Sequence, residues 1–223
     1  MTFCIVGSDS NGRLGMAVSS SSPAVAARCV HLRDNVGAVS SQNITDPRLG
    51  TALLDRLEAG DTAQQALDAV VESADNIDFR QLVVLDAQGN SAVYSGERTL
   101  GIFGQGSGPS CVGAGNMLSD PAVLQAACDA FEAATGELEE RLLAGLKGAV
   151  AAGGEAGPVY SAGMSVVSGH GWRDTDLRVD WHEDPITELG ALLDLWMPQR
   201  DAYVTRGLEP LVSEGYGVPG DDR

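Results

Sequence analysis

The sequence predicts an α+β domain in which two mostly antiparallel sheets stack face to face and helices cover both outer sides, a four-layer αββα sandwich. Three observations lead there. The apolar patterns run strands, helix pair, strands, helix pair, strands, helix. Short strands separated by turns dominate, and hairpins impose antiparallel pairing. The helical patterns are grouped rather than alternated with single strands, which separates the chain from doubly wound folds.

Residues 2–7 form the first strand, and Ser8-Asp9-Ser10-Asn11-Gly12 closes on Asn-Gly, a hairpin signal. Residues 14–18 return. A serine run, Ser19 to Ser22, is ended by Pro23. An apolar segment, 24–32, precedes a strand at 36–40, and residues 41–47 read as its exit loop. Leu49, Leu53, Leu54 and Leu57 recur at helical spacing until Gly60 stops them. Asp61 opens a second helix, with Gln64 as its capping-box partner. Residues 82–85 and 91–94 form a hairpin.

The glycine-rich stretch 101–108 reads as a loop and 111–114 as a short strand. Asp120 and Pro121 begin a helix. Glu137, Glu139 and Glu140 open the next, at its positive end. Residues 160–167 and 177–181 read as strands. Asp184-Pro185 starts a last helix, with Ile186, Leu189, Leu193 and Trp196 on one face. One domain covers residues 1–198, and 199–223 form a carboxyl-terminal extension with few helical stripes.

The 223 residues carry a formal net charge of −17. Such a balance repels phosphate backbones and anionic headgroups, so neither nucleic acid nor a membrane is expected as a partner. No apolar stretch reaches membrane-spanning length, and the amino end has no basic region followed by a long apolar segment. The four cysteines lack close spacing, which fits reduced thiols in a bacterial-type cytoplasm. The three histidines are scattered, so no metal is expected, and no organic cofactor. A small-molecule substrate is the expected partner; the carboxyl-terminal segment reads either as a surface that packs on a second copy in a homodimer or as a stretch with no fixed partner.

Thr2 carries the chemistry. It follows Met1, opens the first strand and is small enough for that methionine to be trimmed. Removal would leave a hydroxyl and a free α-amine on one residue, and a terminal amine can accept the proton of its own hydroxyl. An α-amine titrates near about 8, so part of it is neutral at cellular pH.

Five strings carry a family resemblance: Thr2-Phe3-Cys4-Ile5-Val6, Gly12-Arg13-Leu14-Gly15-Met16-Ala17-Val18, Val36-Gly37-Ala38-Val39-Ser40-Ser41-Gln42, Gly115-Asn116-Met117-Leu118 and Asp176-Leu177-Arg178-Val179-Asp180. In order and spacing they resemble a bacterial family known as domain of unknown function 1028, from residue 2 to about 195. That family looks like part of the N-terminal nucleophile hydrolase superfamily, whose αββα fold agrees with the element order. The resemblance implies Thr2 as nucleophile of an amidohydrolase. It implies no substrate, and inactive members share such folds.

In a site of this type, residues after the second strand lie close to Thr2. Ser20 is the leading hydroxyl of the serine run, either holding the Thr2 amine and hydroxyl in place or satisfying backbone in a polar turn. The strand at 36–40 is expected beside the first strand, and its exit loop would offer the Ser41 amide and the Asn43 side chain to an oxyanion. Gln42 in the same loop is a substrate-binding candidate. Asn116 is a second oxyanion donor, or an amide that tidies a helix entry. Arg33 would depress the amine pKa or clamp a substrate carboxylate, unless it is a solvated edge residue; Arg28 and Arg80 share that ambiguity. Asp176, Arg178 and Asp180 read as structural ion pairs. Cys4 shares the face of Thr2 but reads as a packed thiol.

Overall fold

Among the described residues, ten strands build two sheets. β1 (Thr2–Ser8), β2 (Leu14–Ser20), β7 (Gly104–Gly108), β8 (Cys111–Asn116), β9 (Ser161–Val167) and β10 (Arg173–Val179) form a six-stranded sheet ordered β10-β9-β2-β1-β8-β7. The other, ordered β3-β4-β5-β6, contains β3 (Val30–Arg33), β4 (Gly37–Asn43), β5 (Arg80–Asp86) and β6 (Ser91–Ser95). All named pairings are antiparallel. This computed structural model describes residues 1–220; residues 221–223, the tip of the expected extension, lie outside the described residues.

Alternation within the strands sorts side chains into layers. Cys4, Val6, Met16, Val18, Ala38, Val83, Leu85, Val112 and Ala114 fill the space between the sheets. The opposite faces meet helices. α2 (Pro47–Glu58) and α3 (Ala63–Ser73) close over Val39, Leu82 and Val84. α4 (Val123–Ala133), α5 (Leu138–Ala151) and α6 (Pro185–Leu208) cover Phe3, Ile5, Ala17 and Met164. A short helix, α1 (Ala26–Cys29), joins β2 to β3. The four-layer αββα sandwich expected from the element order is the fold.

Several details differ from the sequence reading. The strand expected beside β1 lies in the other sheet as β4 and faces β1 across the central core; the neighbours of β1 are β2 and β8. β4 also continues through Ser41, Gln42 and Asn43, because β5 pairs with it as far as Arg80. The second helix is capped one residue later than expected: Thr62 accepts from the Gln65 amide and Gln65 caps Thr62 in return, while Asp61 pairs with Arg56. Asp120 accepts from the Ala122 amide in a turn ahead of α4 rather than capping it. The boundary expected at residue 198 falls inside α6, which continues past Pro198 to Leu208.

The glycine-rich stretch read as a loop contains edge strand β7. Its composition has a packing cause: a Cβ at Gly106 would collide with the Leu124 carbonyl and the Gln125 amide of α4. The helix backbone rests directly on the strand. Gly106→Ala should therefore destabilise the fold by about 1–3 kcal/mol, the usual range for overpacking against groups that cannot rotate away, read as a lower urea midpoint with unchanged slope.

Candidate active site

The inner faces of both sheets turn polar at one end. From the six-stranded sheet come Thr2, Ser20 and Asn116, each at an inward position of its strand. Thr2 lies opposite Asn116 across the β1–β8 pair. From the other sheet come Ser40, Gln42 and Gln81. All six are buried, Thr2 at 5% exposure.

A chain of amides crosses between the sheets. Ser40 Oγ donates to Gln42 Oε1 (3.1 Å). Gln42 Nε2 donates to Gln81 Oε1 (2.9 Å) and to the Ala114 carbonyl (3.1 Å). Gln81 Nε2 donates to Ser95 Oγ (2.9 Å) and the Gly115 carbonyl (3.1 Å). Asn116 Nδ2 also donates to Gln81 Oε1 (3.1 Å). Asn116 Oδ1, fully buried, has no partner. Unsatisfied buried acceptors cost about 1–3 kcal/mol each, so such a group marks a place where a donor is wanted.

Above this layer lies the amino terminus. Thr2 Oγ1 donates to the Met1 carbonyl (2.6 Å) and stands 3.4 Å from Ser20 Oγ. Ser20 Oγ donates a short bond to the same carbonyl and contacts Ser22 Oγ (2.9 Å). Arg28 Nη2 donates to Ser22 Oγ (2.6 Å), so a guanidinium is linked through two serines to the Thr2 hydroxyl. Two hydroxyls thus converge on one carbonyl oxygen.

Glu155 completes the setting. It is 6% exposed, yet neither carboxylate oxygen closes a regular hydrogen bond. Burial pushes its pKa up to about 7; the nearby amino terminus and then Ser21 oppose that rise.

The other sequence candidates are placed as follows. Ser41 points outward from β4, where its hydroxyl donates to the Asp46 carbonyl (2.8 Å). Asn43 takes a left-handed conformation (φ 70°), as asparagine tolerates. Its side chain donates to the Phe79 carbonyl (2.6 Å) and accepts from the Leu100 amide (3.3 Å). Both staple loops, and neither side chain faces Thr2. Arg33 is held by Asp55 (2.8 Å) and Glu58 (2.7 Å) of α2. It stands at the opposite end of β4 from Gln42, roughly 17 Å away at the rise of an antiparallel strand. Arg80 donates to the Ile44 carbonyl, and Arg178 pairs with Asp180. The Cys4 thiol is raised by burial to about 12, too high to supply a thiolate near neutrality. Two clefts of about 480 and 430 Å³ lie at the far end of β1, around Ser8, Asp9, Arg13 and Glu137, away from Thr2. Among the described residues no group of three or more His, Cys, Asp or Glu side chains could hold a metal ion, and no helix is long and apolar enough to cross a membrane.

Ser40, Gln81 and Glu155 were missed from sequence. The first two carried a signal: each is polar at an inward parity, in register with Ala38 or with Val83 and Leu85. Glu155 sits in a glycine-rich loop with no periodicity, and only the tertiary fold brings it to the amino terminus.

A crystal structure of a Silicibacter pomeroyi protein of the DUF1028 family superposes with a TM-score of 0.82 at 31% identity, over 87% of this chain and 88% of that one. The Anbu (ancestral beta-subunit) structure from Yersinia bercovieri gives a TM-score of 0.41 at 12% identity, covering 88% of this chain and 97% of that one. No curated protein matches. Residues 2–189 match the family described as "Family of unknown function (DUF1028)", and this chain belongs to it.

Proposed function

We propose that this protein hydrolyses a small amide or related C–N bond through Thr2, once Met1 has been removed. The observation that carries the reading is the Met1 carbonyl, which stands where a substrate carbonyl would. Thr2 Oγ1 lies 2.6 Å from its oxygen, and Ser20 Oγ donates to it as well. Loss of Met1 vacates that position and frees the Thr2 amine.

In the reaction, Thr2 Oγ1 adds to the carbonyl carbon while the α-amine takes the hydroxyl proton. The Ser20 hydroxyl donates to the developing oxyanion from the place it holds against the Met1 carbonyl. Collapse breaks the C–N bond, and the α-ammonium returns the proton to the leaving amine. An acyl ester remains on Thr2, and water hydrolyses it to a carboxylic acid. The roles first given to the Ser41 amide and Asn43 pass to Ser20, because the Asn43 side chain is engaged by loop backbone and Ser41 lies within β4, paired to β5 in the sheet across the core from Thr2.

One observation favours a second reading, a non-catalytic ligand-binding or scaffold protein on this fold. With Met1 present, Thr2 is covered and its hydroxyl already satisfied. Intact mass of the cellular protein, joined to a screen of small amides, ureas and lactams, separates the two. Cleavage by the trimmed protein and none by a Met1-bearing form supports the hydrolase. Quantitative retention of Met1 in the cell, with no cleavage by either form, supports the scaffold.

A further inference from the structure

Glu155 stands ahead of the amino end of β1. β1 runs antiparallel to β8 with Thr2 opposite Asn116. Past Asn116 the chain turns sharply at Met117 (φ 52°). On the β7 side, the amides of Met117 and Leu118 donate to the carbonyls of Leu100 and Ile102. On the other side, Leu118 forms an antiparallel bridge with Glu155, and the Ala156 amide donates to the Met117 carbonyl. Residues 155 and 156 therefore occupy the lane that β1 would need to grow longer. Two further contacts agree. The Met1 methyl lies over Gly157, and Ser21, next to the Ser20 that touches Thr2, acts on the Glu155 carboxyl.

This carboxyl is unusual among the acids of the chain. Arg13 and Arg200 neutralise the other deeply buried glutamate, Glu139. Among the described residues no cation lies within ion-pairing distance of Glu155, and Ser21 alone approaches its enclosed oxygens as a donor, without closing a regular hydrogen bond. A bare buried carboxylate is costly to keep. An acceptor met only by Ser21, at the end of the strand whose first amine the proposed reaction needs, has capacity for a further donor.

We propose that Glu155 is a positioning residue: when Met1 leaves, its carboxylate accepts an N–H of the Thr2 α-amine and turns the amine lone pair toward Thr2 Oγ1. The inference rests on the proposed use of Thr2, but it concerns a contact measurable without turnover. A gap of one residue, about 3.4 Å along a strand, separates the vacated position from Thr2, and a glutamate side chain spans it. The charge acting on Glu155 is the amino terminus, which acts also on the buried Cys29 thiol. The other groups around it, Ser21, Met117 and Leu118, are uncharged.

The test uses protein released with Thr2 as its first residue from a cleavable amino-terminal fusion. Titration of the α-amine, followed by 15N NMR or by the pH dependence of its acylation, is compared between wild type and Glu155→Gln. A carboxylate against the ammonium holds the amine pKa up, so the substitution should lower it by about one pH unit or more; Glu155→Asp should restore part of the shift. In wild type alone, 13C NMR should show the Glu155 carboxyl titrating lower in the Thr2-first protein than in the Met1-bearing form, a comparison that needs no variant. Where a cleaved amide is in hand, Glu155→Gln should shift the acid limb of kcat/KM to lower pH and reduce kcat. An α-amine pKa unchanged by Glu155→Gln, or a Glu155 titration indifferent to Met1, overturns the inference. Absence of any cleaved amide would count against the hydrolase and leave those two readouts standing.

Discussion

Thr2→Ala, made in protein whose first residue is position 2, is expected to lower turnover of a cleaved amide by at least about 10³-fold, the scale on which removal of a nucleophile acts. Three features support so large an effect. The hydroxyl is the only one seen both against a carbonyl oxygen and on the residue that owns the prospective amine. Ser20 contacts the same oxygen but carries no adjacent base. Cys4, one inward step along β1, is fully buried and its thiol is pushed to about 12. Cys4→Ala should thus retain turnover where Thr2→Ala loses it, and Thr2→Ser should keep a measurable part. The loss should not come from unfolding. Removing one methyl and one hydroxyl at a strand end costs about 1 kcal/mol, or roughly 3 °C in Tm for a chain of this size.

The largest effect on stability is expected at the opposite end of the sandwich. Glu139 is fully buried and accepts from Arg13 Nη2 (2.5 Å), Arg200 Nη1 (3.2 Å) and Thr175 Oγ1 (2.9 Å). Trp196 Nε1 in turn donates to Thr175 Oγ1 (3.0 Å). One carboxylate thereby ties the β1–β2 turn to α5, β10 and α6. The arginine side chains are nearly enclosed, at 11% and 14% exposure, so solvent screens them little. Glu139→Ala would leave two enclosed guanidiniums with only the half-exposed Glu137 as a shared counter-charge. The expected cost is about 3–5 kcal/mol, a fall of roughly 10 °C in Tm. Glu139→Gln keeps an acceptor for Thr175 and should lose less. A shift under about 2 °C for Glu139→Ala would show that Glu137, which also binds both arginines, carries the cluster alone.

The fold was legible in the sequence wherever one side chain pattern answered to one surface. Leu49, Leu53, Leu54 and Leu57 face one sheet, and their helix lies where the spacing put it. Asp184 and Pro185 start α6 as expected, with the Asp184 side chain accepting from Thr187. The reading failed where a distant partner decides. Gly104–Gly108 is a strand because β8 pairs with it and α4 rests on it, neither of which shows locally. Glu139 looked like one more first-turn acid, and only the meeting of Arg13 with Arg200 explains its burial.

The candidate site divides the same way. Thr2 and Ser20 were readable from the first hairpin, because register alone brings the ends of β1 and β2 together. Asn116 was singled out, and it does sit opposite Thr2, although its Nδ2 is bound to Gln81 and its free atom is an acceptor. Gln42 is near, but as part of the amide chain that joins the sheets. Asn43 was assigned through an exit loop that proved to be strand β4 and Arg33 through its place ahead of that strand, and their partners lie elsewhere.

The most direct measurement reacts the protein with a small activated ester or β-lactone and maps the adduct by mass spectrometry, with Thr2-first and Met1-bearing forms side by side. The expected result is a single acyl group on Thr2 Oγ1, formed only when Thr2 is the first residue and absent in Thr2→Ala. Acylation at another residue, or equal labelling whether or not Met1 precedes Thr2, would contradict a nucleophile activated by its own amine.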